Sequence, residues 1–227
     1  MLTIFDTVSS AYYAEFMEYQ RARTKEQIAD RQAEIIAACD AIYREKGYEA
    51  VHFKAVSQMT SISRSSIYNY YKTKEEIFLD VLIQDYIRWK KELLSHYKRT
   101  PRMKKNQYCL FITKSLKKHE KYLELITVYL YQIEKNSSLE KLISFKAEIH
   151  QFLGSIQAGL SKYFPGITNR QKQKFVFYLM VIVTGAYAHT HMTEKQIQAA
   201  KYADPEGKTP DFHQVCYEGL LMLLSDV

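Results

Sequence analysis

The chain has 227 residues, of which 47% are hydrophobic and 25% charged, and its formal net charge is +7. Such a length accommodates a small domain and one larger domain with its own core. Only 7 glycines and 4 prolines are present and no repeat is visible, which excludes fibrous and low-complexity classes. Because helical periodicity dominates, the sequence predicts an all-α fold.

Residues 1–23 form an N-terminal extension that ends in Arg21 and Arg23. Two interpretations remain open: an arm that reaches a DNA minor groove, and the commoner case of a loose or packing extension. The next residues, Thr24-Lys25-Glu26-Gln27, have capping-box spacing. They predict a first helix that starts there and ends at Lys46-Gly47.

The segment between Val51 and Lys74 carries four formal charges, all of them positive and none balanced by an acid. Within it, two short helical patterns flank a small polar turn. Ser63 is predicted to cap a helix about two turns long whose second turn holds Ile67. The capping-box pattern that starts at Thr73 then begins a further helix. This arrangement predicts a helix-turn-helix with a field suited to phosphate.

These residues resemble the DNA-binding domain of the tetracycline-repressor (TetR) family of transcriptional regulators. The resemblance spans about 50 residues up to Phe78 and is densest from Ile62-Ser63 to Ile77-Phe78. It implies that the third helix enters the major groove of double-stranded DNA. By this resemblance Arg64, Ser65 and Asn69 contact bases, Lys54 contacts a base or a phosphate, Ser66, Tyr68, Tyr70 and Lys74 contact phosphates, and Ser63 and Lys72 complete the DNA-binding set.

Three positions depart from the family pattern. Val51-His52-Phe53 replaces the threonine or serine that usually opens the second helix, so His52 is predicted to act as a weak substitute cap. Ser61 lies where a glycine is common, and a left-handed conformation there would cost about 1 kcal/mol. Tyr71 replaces a usual phenylalanine and adds a hydroxyl that needs a partner.

We divide the chain into the extension 1–23, a DNA-binding domain 24–73 and a helical ligand-binding and dimerisation domain 74–227. A long apolar stripe from Ile77 to Leu93 predicts one helix that links the two domains. Further helices are predicted near residues 104–119, 121–135, 138–164, 169–192 and 211–225. The polar stretch 193–210 is predicted to be a connection.

The segment Phe175–Val183 is apolar on every side, which predicts a helix that is buried all round. The resemblance implies that this helix and the C-terminal one pack against a second subunit, giving a homodimer that matches a palindromic operator. A purely intramolecular core helix is the alternative. The predicted dimer interface comprises Tyr178, Val181, Ile182, Leu220, Leu221 and Leu224.

The larger domain also holds apolar and aromatic residues suited to a ligand cavity, although such residues are more often plain core. Sparse acids disfavour a polycationic effector and leave lipophilic neutral or anionic molecules open. The basic excess from residue 81 to 135, which includes Lys114 and Lys118, is typical of a solvated helix face, and the alternative is a flank to DNA. The predicted pocket comprises Phe111, Tyr122, Leu125, Tyr129, Phe145, Ile149, Phe152 and Tyr178.

No catalytic or cofactor motif appears, so we predict neither an enzyme nor a cofactor. His189 and His191 point apart on a helix and predict no metal site. Three separated cysteines and the lack of an export signal or a membrane-spanning segment predict a cytoplasmic protein. The sequence thus indicates a ligand-responsive DNA-binding regulator, most often a repressor in this family. The alternative is a helical small-molecule-binding or interaction protein whose DNA head is vestigial.

Overall fold

The computed structural model describes the backbone of residues 4–225 and the side chains of residues 24–225. The proposed minor-groove arm, Arg21 and Arg23, lies outside the described side chains. Over the described residues the fold is all-α with no strand. Its α-helices are α1 (Ile4–Lys46), α2 (Phe53–Gln58), α3 (Arg64–Ile67), α4 (Lys74–Arg99), α5 (Lys105–Glu124), α6 (Leu130–Lys135), α7 (Leu139–Tyr163), α8 (Asn169–Thr190), α9 (Glu194–Ala203) and α10 (Phe212–Leu223).

Three helix predictions were wrong. The first helix does not start at Thr24, because α1 runs through that position. No break occurs near residue 120, because α5 continues through the π-helical segment Leu125–Tyr129 into α6. The polar stretch after α8 contains the missed helix α9, which begins with a full capping box formed by Thr193 and Gln196.

The chain forms two compact units, one up to Val81 and one from Leu82 onward, so the division falls inside α4. The core of the first unit is aromatic and apolar. Phe78 lies edge-on to Tyr43 at a ring-centroid distance of 5.6 Å and stacks on Tyr48 at 4.7 Å. Ile67, the only inward residue of α3, is fully buried. These contacts fix α1, α3 and the start of α4 around one core.

The turn between α2 and α3 forms without a left-handed residue. Within the described part of the chain Gly47, with φ of 81° at the end of α1, is the one residue that has positive φ. Ser61 instead donates its backbone N–H and its hydroxyl to the carboxylate of Glu34 on α1. The predicted backbone cost at Ser61 therefore does not arise. The Ser61 N–H holds the pKa of Glu34 below its ordinary value of 4.5.

In the second unit α10 packs against α8 and α5. The prediction that residues 175–183 are buried all round was wrong for a single chain. Phe175, Leu179 and Val183 face the core, whereas Phe177 is 64% exposed and Val181 is 50% exposed. One face of α8 is therefore inside and the opposite face is an apolar surface.

All three cysteines, Cys39, Cys109 and Cys216, are buried and free. Burial raises the pKa of the Cys109 and Cys216 thiols to about 12, so both stay protonated and unreactive near neutral pH. Among the described residues, no single helix has the length and apolar character to cross a membrane, and α8 and α9 meet that test only as a pair bent by 78°.

The Glu34 contact generates a stability prediction. Because the pKa of Glu34 is lower in the folded state than in the unfolded state, its stabilisation is present above pH 4.5 and disappears as the pH falls below that value. Glu34→Ala should thus lower the urea midpoint at pH 7, and the gap from wild type should shrink at pH 3.5. Glu26→Ala removes an exposed carboxylate of the same helix and serves as the control. A gap that is constant with pH would contradict the assignment.

Candidate nucleic-acid interface

The start of α2 is capped by a histidine. His52 has extended backbone geometry, and its Nδ1 accepts a hydrogen bond of 3.0 Å from the Ala55 N–H. The imidazole therefore accepts the hydrogen bond that a serine or threonine hydroxyl accepts at other N-caps. Accepting at Nδ1 requires the neutral tautomer with its proton on Nε2, and that N–H is left at an exposed position on the outer surface of α2.

Helix α3, the predicted recognition helix, is one turn long and not two. Ser63 caps it by accepting from the Ser66 N–H at 3.2 Å, as predicted. A turn follows, in which the Tyr71 N–H bonds the carbonyl oxygen of Ile67 at 3.0 Å. Asn69 consequently lies in a turn, and its side chain is exposed. A helix this short is not stable alone, so its position depends on the buried Ile67 and on the cap.

The start of α4 is held by a partly buried polar network. Thr73 accepts from the Glu76 N–H at 3.3 Å, while the Glu76 carboxylate accepts from the Lys72 N–H at 2.7 Å. Thr73 and Glu76, the ends of the predicted capping box, are thus bonded at the start of α4, and the Glu76 carboxylate also holds the Lys72 N–H. The predicted partner for the Tyr71 hydroxyl is Asp80, to which it donates at 2.7 Å.

Five of the predicted DNA-binding side chains come together around one open depression of about 500 Å3. Exposed Ser65 and Asn69 and half-buried Tyr70 do not line it, and Ser63 and Ser66 bond each other through their hydroxyls at 2.8 Å. The depression also contains His52, Phe53, Thr73 and Glu75. The five predicted residues are Lys54, Arg64, Tyr68, Lys72 and Lys74.

The cations of this depression are not equivalent. Lys54, Arg64 and Lys72 are exposed, and their side chains have no hydrogen-bond or ion-pair partner among residues 24–225. Lys74 is engaged: its Nζ lies 4.2 Å from the centroid of the Tyr48 ring, 3.4 Å from the Tyr48 carbonyl oxygen and 3.7 Å from a Glu49 carboxylate oxygen. A phosphate at Lys74 would compete with Glu49.

Tyr68 supplies the aromatic part of the surface. Its ring lies edge-on to Phe53 of α2 at 4.7 Å, and 53% of the residue remains exposed. Packing against Phe53 limits the side-chain motion that binding would otherwise have to freeze. Its hydroxyl is therefore positioned for an external acceptor.

The predicted ligand-pocket residues do not gather at one cavity. An apolar interior cavity of about 20 Å3 is lined by Phe152 together with Tyr86, Trp89 and Leu179, which the sequence reasoning missed. Phe111 instead lines an open cleft between α4 and α5. Leu125 and Phe145 are fully buried, Tyr122 accepts a hydrogen bond from Arg88, Tyr129 and Ile149 are half-buried, and Tyr178 is on the surface.

The residues predicted for the dimer interface differ in their exposure. Tyr178 and Val181 are exposed, and Ile182 and Leu221 are half-buried. Leu220 and Leu224, in contrast, are fully buried in the core of their own chain. Met222 of α10, which is not among the predicted residues, is 74% exposed.

Among the described side chains no group of histidine, cysteine and carboxylate residues has a geometry that could hold a metal ion. His191 stacks on Tyr187 at 3.8 Å, and its Nε2 lies 2.8 Å from a Glu120 carboxylate oxygen.

Two family models match the chain in succession. The model described as "Bacterial regulatory proteins, tetR family" matches residues 35–81, and "Tetracyclin repressor-like, C-terminal domain" matches residues 83–225. A curated protein of Bacillus subtilis (strain 168), described as "Uncharacterized HTH-type transcriptional regulator YfiR", is 36% identical over 59 residues, which are 26% of this chain. The match spans 29% of the length of that relative.

Solved structures of similar fold cover most of the chain. The transcriptional regulator FadR from Bacillus subtilis, solved in complex with stearoyl-CoA, has a TM-score of 0.55 at 14% identity, over 86% of this chain and 98% of that chain. A TetR transcriptional regulator from Rhodococcus sp. RHA1 has a TM-score of 0.56 at 12% identity, over 89% and 99%. At these identities the likeness establishes the fold alone.

The free guanidinium of Arg64 generates the first DNA-binding prediction. Arg64→Ala should cost about 1–3 kcal/mol on the specific site and relax preference at one base position, because arginine on a recognition helix pairs bidentately with guanine. Binding to a panel of single-base operator variants measures this. Arg44→Ala, which removes an exposed arginine from α1, is the control. Uniform weakening over the panel would make Arg64 a phosphate contact.

The engaged ammonium of Lys74 generates the second. Lys74→Ala should weaken all duplexes alike and reduce the slope of log affinity against log salt by about 1 per half-site. Glu49→Gln should act in the opposite direction, since it frees the ammonium and removes a nearby negative charge. Affinities measured over a salt series test both variants. An unchanged slope in Lys74→Ala would show that Lys74 only packs on Tyr48.

Proposed function

The chain belongs to the tetracycline-repressor family of transcriptional regulators, and from that premise we propose that it is a ligand-responsive repressor that binds a palindromic operator as a homodimer. The observation that carries the proposal is the depression around α3. It combines unpaired Lys54, Arg64 and Lys72 with the exposed Tyr68. Unpaired cations beside hydrogen-bonding side chains suit phosphate and base contacts respectively.

The alternative of a vestigial DNA head was motivated by unusual residues at two positions. His52 nevertheless caps α2, and Ser61 makes its turn by bonding Glu34. Both replacements are therefore compatible with a well-formed helix-turn-helix. No feature of the described residues favours the alternative, and the proposal stands on the intact cationic surface.

The exposed apolar face of α8 supports the homodimer. Phe177, Tyr178 and Val181 form one stretch of this face, and Met222 of α10 is likewise exposed. Apolar surface of this kind on a soluble chain indicates a protein contact. A two-fold axis would pair the face with its own copy and present two reading heads, which matches a palindrome.

The interior cavity of the second unit supports the response to a ligand. Its lining is almost entirely apolar, and at about 20 Å3 it is nearly closed. A lipophilic effector would have to displace side chains such as Phe152 and Met180 in order to enter. An effector that binds the opened arrangement better shifts the population toward it and so alters operator affinity. FadR from Bacillus subtilis, which shares the fold, was solved with stearoyl-CoA.

A gel shift tests DNA recognition. Purified protein is mixed with labelled DNA from upstream of its own coding region, in the presence of excess unrelated duplex. We expect a shifted band that unlabelled upstream DNA removes and unrelated DNA does not. Equal competition by both DNAs would contradict sequence-specific binding and favour the vestigial-head alternative.

The dimer generates a further prediction. Val181→Glu should raise the dimer dissociation constant by about 100-fold or more, because two-fold symmetry brings two unpaired charges into an apolar seam. Light scattering coupled to size-exclusion chromatography measures the mass over a dilution series. Ile143→Glu changes an equally exposed apolar residue on α7 and should leave the dimer intact. A wild-type monomer at micromolar concentration would overturn the dimer proposal.

A further inference from the structure

A second open site lies between α4 and α5, within the unit that starts at Leu82. It is a cleft of about 510 Å3, which is within the range of about 300–1,000 Å3 of small-molecule sites. Its walls come from the second half of α4 and the middle of α5. Neither the DNA surface nor the apolar cavity of the proposed effector explains it.

The side chains around this cleft are strongly and unequally charged. Five cations and one carboxylate line it. The carboxylate, Glu92, is already bonded to Lys118 at 2.8 Å, and Arg88 is bonded to Asp85 at 3.1 Å. The other three cations, Lys91, Arg99 and Lys114, are exposed and have no acidic partner among the described residues.

Three unpaired cations around one concave surface repel each other and attract a counter-charge. The three cations do not form the solvated face of one helix, because Lys91 and Arg99 lie on α4 and Lys114 lies on α5. They nevertheless line the same cleft. A ligand with a single carboxylate would neutralise only one of these three positive charges. A phosphate or diphosphate carries more charge and several acceptor oxygens, and it is therefore the better match.

An aromatic pair, His96 and Phe111, also lines the cleft. The rings of His96 and Phe111 stack with centroids 4.0 Å apart and planes 13° from parallel. Burial, together with the nearby Arg99, lowers the pKa of His96, so the ring is neutral near pH 7. Such a surface accepts an organic group by stacking or apolar contact.

The cleft touches the core through two shared residues. Leu93 and Ser115 line both the cleft and the apolar interior cavity. The Ser115 hydroxyl accepts a hydrogen bond of 2.9 Å from Trp89 Nε1, and Trp89 packs on Phe152 at 4.6 Å. A molecule in the cleft therefore contacts the side chains that separate it from the cavity.

We infer that the cleft binds a small organic phosphate, whose anionic group is held by Lys91, Arg99 and Lys114 and whose organic part contacts the His96–Phe111 pair. This inference rests on the proposed function in one respect: the bound phosphate is the polar part of the effector. Its binding is communicated to the core at Ser115 and Trp89. Phosphate recognition itself does not depend on DNA binding.

Calorimetric titration of the full chain with pyrophosphate and with ADP tests the inference, with adenosine as the uncharged control. We expect saturable binding of both phosphates that weakens with salt, and tighter binding of ADP because its organic part contacts the His96–Phe111 pair. Lys91→Ala, Arg99→Ala and Lys114→Ala should each weaken binding about tenfold or more. Lys98→Ala removes an exposed α4 cation that does not line the cleft and should have no effect.

The same variants are carried through a melting curve and the gel shift, which separates the two proposals. Specific DNA binding without any phosphate binding at millimolar concentration overturns the cleft inference and leaves the regulator proposal intact. Phosphate binding without specific DNA binding overturns the regulator proposal and leaves the cleft inference intact. Loss of DNA binding with unchanged ADP affinity would assign the three cations to DNA and also overturn the inference.

Discussion

The proposed DNA-binding surface depends on the burial of Ile67. A helix of four residues is not stable alone. Helix α3 therefore depends on the full burial of Ile67 and on Ser63, which caps its N-terminus. With Ile67 inside, the geometry of a single helical turn directs Arg64, Ser65 and Tyr68 outward. The neighbouring elements serve the same end: Glu34 supports the preceding turn at Ser61, and Asp80 anchors Tyr71 after it. The chemistry of the surface thus follows from one apolar anchor and three polar supports.

The cationic surfaces of this chain depend on where its charged residues lie and not on its net charge. Residues 1–80 contain 10 lysines and arginines against 12 acids, yet α2, α3 and the start of α4 form a cationic surface. Acids of that region, such as Glu34, Glu76 and Asp80, instead accept hydrogen bonds that stabilise the fold. The excess of positive charge lies at residues 81–135, where three of the unpaired cations converge on the α4–α5 cleft. A total of +7 would have indicated neither location.

Local chemistry made the small unit predictable from sequence, whereas the larger unit depended on contacts that no local pattern encodes. The caps at Ser63 and Thr73 and the end of α1 at Gly47 all follow from short-range rules. The Glu34–Ser61 bond joins residues 27 apart in sequence, and it was missed for that reason. Likewise, apolar character alone could not separate Leu220, which is buried in its own chain, from Val181, which is exposed. Phe145 and Phe152 of the predicted pocket likewise have the same apolar character, and only tertiary packing makes Phe152 line the interior cavity.

We predict that the protein reads one defined sequence with two symmetric heads. The most direct test is selection of bound duplexes from a random-sequence library with the intact protein, followed by sequencing of the enriched DNA. The predicted result is a single motif composed of two inverted half-sites, lost in Arg64→Ala at one position of each half. A library that remains unenriched, or that enriches by charge and length alone, would contradict the central claim.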